Sequence, residues 1–245
     1  QFRLLSEAMN LGVSPLNRLS AGYRTLGGRV EGVIKRYSAQ KVAVRLAQGD
    51  MTRYGLLMRS LTTGTANLGL AIPIVGVFGT SPKQGKFTIQ LRLKKYLTEI
   101  GSKVCNLWTE PESELFGFEG TYPIGYNATV KVSGYEAITY LNSLMHSIEL
   151  KEPDLIIVGA QSQTIPTGNE CLGCVPVAQH ELILGSQPDA YILCVNCTDE
   201  INYIMNTMKY LQILTDAKIV SIVVFPLIYQ NVEGVLTKVK AKIIL

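Results

Sequence analysis

The clearest pattern in the chain is an alternation of short apolar runs with longer stretches of helical periodicity, beginning at about Ile72. Ile72 to Phe78 is apolar throughout and breaks at Gly79, as a strand buried on both faces would. A helix follows with Ile89, Leu93, Leu97 and Ile100 on one stripe, closed by Gly101. Lys103 to Trp108 reads as a second strand, and Thr109 to about Asn127 as a loop rich in Glu, Pro and Gly. Ser133 and Glu136 have capping-box spacing and open a helix whose Ala137, Leu141, Met145 and Ile148 face one way. Leu155 to Val158 and Ala190 to Val195 are further buried strands, with a short helix near Glu181 to Leu184 between them. Asp199 and Glu200 are expected in the first turn of a helix carrying Ile201, Ile204, Met205, Met208 and Leu211. Ile219 to Phe225 closes the series as a strand. Strands alternating with helices of this length predict an α/β fold, a mostly parallel sheet with helices on both faces.

The first seventy residues fit this scheme poorly. Val30 to Val44 looks like a hairpin, Thr62 to Leu68 like a linker, and the string VEGV at Val30 to Val33 recurs at Val232 to Val235. The expected division is therefore a small peripheral N-terminal segment (1–70), an α/β domain (71–230) and a peripheral C-terminal strand (231–245).

Composition narrows the class. The chain has 245 residues, of which 47% are hydrophobic, so it can bury a good core, and disorder is excluded. Its longest apolar stretch, Leu68 to Phe78, is too short to cross a bilayer and contains Pro73. Gln1 is not a natural start, so a fragment or processed product is expected, from which a targeting segment could have been lost. The net charge of +4 is uneven: residues 1–60 carry ten Lys/Arg against three Asp/Glu, and the remainder thirteen against sixteen. No aromatic interleaving accompanies the basic segment, so a solvated face is the expectation rather than a nucleic-acid surface. Five cysteines without an export signal suggest a reducing cytoplasm.

The chemistry concentrates at Gly79 to Thr88, GTSPKQGKFT, a glycine-containing turn between a buried strand and a helix. Such a turn aims backbone N–H groups and the helix dipole at one point and suits phosphate. Gly79 permits the tight exit from the strand and Gly85 the close approach of backbone to phosphate. Lys86 supplies the mobile charge expected to be catalytic, and Thr88 a hydroxyl for Mg²⁺. Thr80, Ser81, Lys83, Gln84 and Phe87 complete the expected cofactor-binding set. The spacing departs from the common form: five residues separate Gly79 from Gly85, and Phe87 intervenes before Thr88. The competing reading, an ordinary strand-to-helix turn beside a surface lysine, stays open at this point.

The five-residue gap resembles the dethiobiotin synthetase and cobyrinate amidase branch of P-loop proteins. The form Gly-Thr-four residues-Gly-Lys-one residue-Thr is similar to a P-loop family related to bacterial D-glutamate N-acetyltransferase, which has a Rossmann-like N-terminal part and a P-loop C-terminal part. Glu181 to Asn196, ELILGSQPDAYILCVN, resembles a strand entry of that family, and Asp154 to Pro166, DLIIVGAQSQTIP, falls where it has an apolar strand followed by Glu-Gly-Gln. The likeness covers about residues 72–226, and the loop most resembles a clostridial branch associated with natural-product peptide maturation. It implies that Gln161, which matches the family's Gln, belongs to the site. It also implies a P-loop NTPase-like fold binding ATP, another nucleotide or a coenzyme A derivative with Mg²⁺, and a homo-oligomer. The departures matter: Gly159 stands where the family has its acid, and Ala160 follows. Asp154, Glu110, Glu112 or Glu114 would then have to substitute.

Cys171 and Cys174, and Cys194 and Cys197, form C-x-x-C pairs nineteen residues apart, a spacing compatible with a four-thiolate zinc site. A thiol redox pair and simple packing compete with zinc, and packing is favoured because Cys194 lies within an apolar strand. Cys105 is expected in the core. His146 reads as a surface residue, and His180 as a base or ligand lacking a third partner. Met205 and Met208 read as core, and no hydrolase triad order occurs. The expectation is a cytoplasmic nucleotide-binding protein that modifies a small molecule or peptide, an ATP-dependent transferase or ligase or an acyltransferase. Its rival is a non-catalytic partner in a biosynthetic complex that retains a degenerate phosphate loop.

Overall fold

The computed structural model describes Leu26, residues 28–30, 72–122, 132–166 and 176–225, and the backbone of 227–232 and 235–240. Among these residues six strands form one parallel sheet: β1 (Ile74–Gly79), β2 (Val104–Trp108), β3 (Gly120–Thr121), β4 (Leu155–Gly159), β5 (Ala190–Asn196) and β6 (Lys218–Phe225). The order is β3-β2-β4-β1-β5-β6, with Val77 opposite Gly159 on one side of β1 and Gly79 opposite Cys194 on the other. Helices α1 (Lys86–Glu99), α2 (Tyr135–Glu149), α3 (Val177–Ser186) and α4 (Ile201–Thr215) join successive strands. The fold is P-loop NTPase-like: every strand runs the same way, so the turns leaving β1, β2, β4 and β5 emerge along one edge.

Each face of the sheet has its own core. On one, Ile89, Leu93 and Leu97 of α1 cover Val75, Val77, Leu155, Ile157 and Ile192, joined by Leu26 and Val30. On the other, α2 and α3, with Ile204 and Leu211 of α4, cover Phe78, Leu107, Ile156, Val158, Tyr191 and Leu193. Strands buried on both faces must be apolar at every position, which is why they read as continuous runs. Burying each Leu or Ile of these stripes is worth about 1.5–3 kcal/mol.

Several local expectations change. Ile100 lies beyond the end of α1 and is exposed, although Gly101 does close the helix, at φ 94°. The Ser133–Glu136 capping box does not form. Gly134 is the N-cap of α2, at φ 63°, and its N–H donates to the Glu181 carboxylate on α3 instead. Asp199 and Glu200 precede α4 rather than opening its first turn. Ile201 and Met205 are exposed, and Met208 only packs against the edge of the core. The loop after β2 contains a 3-10 helix, Pro111–Phe116, and the edge strand β3. Val30 is helical rather than part of a hairpin; the rest of that stretch and the linker from Thr62 to Leu68 lie outside the described residues. Near the C-terminus β7 (Leu227–Val232) and β8 (Val235–Lys240) form a separate antiparallel pair, which begins at Leu227 rather than Asn231.

Candidate functional site

The turn leaving β1 is held from behind by the buried side chains of Thr80, Gln84 and Thr164 and the half-buried Asp199 and Tyr203. The Gly79 carbonyl accepts both the N–H and the hydroxyl of Thr164, each at 2.9 Å. The Thr80 N–H donates to the Cys194 carbonyl at 3.0 Å. The Thr80 hydroxyl donates to the Asp199 carboxylate and accepts the Gln84 amide at 2.6 Å. The Gln84 side-chain oxygen in turn accepts the Ser81 N–H at 3.0 Å. Tyr203, on α4, places its hydroxyl 3.0 Å from the Thr80 carbonyl and 2.8 Å from that of Ile165. The loops after β1, β4 and β5 are thereby tied into one unit.

The helix side completes the cradle. Gly85 is the N-cap of α1 at φ 77°, a left-handed conformation in which a side chain would be strained, and its carbonyl accepts the Ile89 N–H at 2.9 Å. Lys83 is also left-handed, at φ 59°, with its side chain exposed. Lys86 begins α1 and folds back over the loop, donating from Nζ to the Ser81 carbonyl at 2.7 Å. It is only 3% exposed, and burial pushes its pKa down to about 8. No acidic residue occupies the first turn of α1, so the helix's own sequence leaves the positive end of its dipole uncompensated.

On the flank toward β2 the loop meets aromatic rings. Phe87 packs against Trp108, Phe116 and Phe118 with centroids 5.2–5.4 Å apart. Thr88 is exposed on the first turn of α1, and Gln161 is half-exposed just after β4. At Gly159, the end of β4, a Cβ would run into the Gln90 amide and the ring of Trp108. Among the described residues neither polar atom of the Gln90 amide has a hydrogen-bond partner, and neither does Trp108 Nε1.

The suggested substitutes for an acid on β4 are placed unequally. Asp154 caps the opposite end of the sheet, where its carboxylate accepts the Lys103 N–H at 2.8 Å. Glu110, Glu112 and Glu114 follow β2, which β4 separates from β1, a lateral offset of about 10 Å. Burial, and then Glu112, raises the pKa of Glu110. Asp199, the carboxylate that does reach the loop, was expected only as a partner for a helix dipole. A short Asn-x-x-Asp turn between a strand end and a helix was the available signal. Its carboxylate accepts the Asn196 N–H at 2.7 Å and its side-chain amide at 3.2 Å as well as the Thr80 hydroxyl. Replacing Asp199 with Ala should leave Thr80 unanchored and weaken phosphate-ligand binding about tenfold, measured by calorimetry, with the fold retained by circular dichroism.

The cysteines do not gather in what is described. Cys171 and Cys174 lie outside the described residues. Cys194 is fully buried in β5, opposite Gly79, and burial pushes its thiol up to about 12. Zinc takes thiolates, so this environment opposes Cys194 as a ligand. Among the described residues no group of three His, Cys, Asp or Glu could hold a metal ion. Cys105 is buried in the core as expected. In native protein at pH 8, Cys197 should alkylate and Cys194 should not; peptide mass spectrometry after iodoacetamide treatment would show both positions. His180 sits 3.1 Å from the Pro176 carbonyl through Nδ1 and against the Tyr210 ring, and His146 lies 3.8 Å from Glu149. Among the described residues no helix is long and apolar enough to cross a membrane.

A family profile described as "Domain of unknown function (DUF1611_C) P-loop domain" matches residues 60–223. No curated protein matches the chain. Among solved structures, a DUF1611 family protein from Anabaena variabilis is similar at 18% identity and a TM-score of 0.49, over 66% of this chain. This chain spans about half of that protein, 50% of its length. The kinase domain of the Escherichia coli tyrosine kinase ETK is similar at 13% identity and a TM-score of 0.45, covering 69% of this chain and 72% of that one. The signal recognition particle 54 kDa protein from Aeropyrum pernix, solved in complex with GDP, is similar at 14% identity and a TM-score of 0.37, covering 97% and 65%.

Proposed function

Because the chain belongs to the DUF1611 P-loop domain family, we propose that the Gly79–Thr88 loop binds the phosphates of a nucleotide or of a related cofactor such as a coenzyme A derivative. The observation that carries this reading is Lys86. A nearly buried lysine whose ammonium is already desolvated, lying across a left-handed glycine cap and a helix N-terminus, is an expensive arrangement for a merely structural turn. It suits an anion that supplies the missing charge. Thr80, Ser81, Gln84 and Gly85 shape the loop, while Lys83, Phe87, Thr88 and Gln161 line its approaches.

The reaction we favour is modification of a small molecule or peptide in a biosynthetic pathway, with Lys86 stabilising charge on the transferred or bound phosphates. Peptide maturation is the setting suggested by the sequence likeness, and a homo-oligomer its expected assembly. The second reading, a non-catalytic partner that keeps the loop for binding, is favoured by one specific observation. The space an acid on β4 would need is filled by Gln90 and Trp108. Titrating ATP, GTP and acetyl-CoA into the protein tests the common premise, with Lys86→Ala as control. Saturable binding lost in the variant supports it, and absence of binding by all three overturns it.

A further inference from the structure

P-loop domains as a class bind nucleotide with Mg²⁺, which takes a hydroxyl from the helix start and a carboxylate from a neighbouring strand. Here the donors for such an ion do not assemble among the described residues. The position directly after Lys86 is Phe87, whose ring is fixed among Trp108, Phe116 and Phe118. Thr88 follows one residue later, turned about 100° further around the helix axis. On β4 the carboxylate is replaced by Gly159, and the volume beyond its Cα is taken by Gln90 and Trp108. Asp199 approaches from the β5 flank, where its carboxylate accepts three hydrogen bonds, from Thr80 and from Asn196, and is turned to holding the loop. Mg²⁺ demands near-octahedral oxygen coordination and is usually fixed by one or two carboxylates besides phosphate. Among the described residues that set does not come together on the side of the loop where a strand would have to offer it.

We propose that this loop takes a diphosphate-bearing ligand, a nucleoside diphosphate or a diphosphate diester, without a divalent cation, and holds its phosphoanhydride intact. The proposal rests on the reading of the loop as a phosphate site and narrows it. Charge balance favours fewer phosphates. Lys86, Lys83 and the N-terminus of α1 supply about two and a half positive charges, offset in part by the Asp199 carboxylate held at Thr80. A diphosphate therefore comes closer to balance than a nucleoside triphosphate without its metal. Cleavage is a different demand, because a departing phosphoryl group needs a positioned nucleophile and charge neutralisation that Lys86 alone does not provide.

The test measures binding of ADP and of coenzyme A to the full chain by calorimetry, once with EDTA and once with excess MgCl₂, alongside Lys86→Ala. The expected result is that at least one ligand binds with an affinity equal in the two buffers to within about a factor of two, and that Lys86→Ala loses it. Tightening by about tenfold or more in MgCl₂ would overturn the cation-free proposal while leaving the loop as a phosphate site. If neither ligand binds in either buffer, the phosphate reading and this proposal fall together.

Discussion

Replacing Lys86 with alanine is expected to weaken nucleotide binding about 100-fold. A hydrogen bond to a charged group contributes about 1.5–3 kcal/mol, and each 1.4 kcal/mol is a factor of ten in affinity. Lys86 belongs at the upper end because it is already desolvated, at 3% exposure, so binding incurs little further dehydration. Arginine should not rescue the loss, since its planar fork does not fit a slot shaped for a point charge donating to the Ser81 carbonyl. The pH dependence has a definite sign. With the pKa of Lys86 at about 8, phosphate affinity should hold below that value and fall as pH rises through it. Calorimetry in buffers of different ionisation enthalpy should show proton uptake on binding near pH 8. Stability of the free protein runs the other way. The folded pKa is depressed from 10.5 to about 8, so the unfolded chain binds the proton more tightly and this residue adds stability as pH climbs between those values. Lys86→Met should therefore stabilise the free protein at pH 7 by about 2 kcal/mol while weakening binding as much as Lys86→Ala does. A variant that loses stability and binding together would mark the lysine as structural.

Placing an acid at the end of β4 is expected to damage the protein rather than activate it. Gly159→Asp would drive its Cβ into Gln90 and Trp108 and set a carboxylate beside apolar rings. Overpacking of this kind costs about 1–3 kcal/mol, and an unpaired buried charge adds to it. Since about 1 kcal/mol moves the melting temperature of a chain this size by 2–4 °C, a drop on the order of 10 °C should appear by calorimetric scanning. A Gly159→Asp protein that melts normally and gains Mg²⁺-dependent ATP hydrolysis would show that the flank is open. Gly159→Asp combined with Gln90→Ala should recover part of the lost stability, because the amide blocking the Cβ is then gone.

The parallel sheet was legible because its strands are buried on both faces and because α1 and α2 carry their apolar stripes at undisturbed helical spacing. Leu93, Leu97, Leu141 and Met145 sit where periodicity put them. α4 was less legible, since Ile201 and Met205 share the apolar character of its buried positions yet face out. The loop could be located because glycine and lysine answer local demands of backbone angle and helix dipole. What surrounds the loop answers demands from far along the chain. Asp199 and Tyr203 reach Thr80 across more than a hundred residues of sequence. The absence of an acid at Gly159 was visible in the string, but the occupation of its space by Gln90 and Trp108 was not, because only the packing of α1 against β2 and β4 creates it. Ser133 and Glu136 show the converse case, a sound local pattern displaced when Gly134 takes the cap and Glu181 supplies its partner from another helix.

Trp108 is the single tryptophan of the chain, buried at the end of β2 with its ring 5.4 Å from that of Phe87, the residue next to Lys86. The protein therefore carries its own optical probe at the mouth of the loop. Excited at the red edge of protein absorption, its emission comes from that indole alone, and any ligand that shifts the first turn of α1 changes the quenching and polarity the ring experiences. Intensity, spectral maximum and anisotropy would then follow occupancy in real time on unlabelled protein, giving association and dissociation rates where equilibrium titration gives only their ratio.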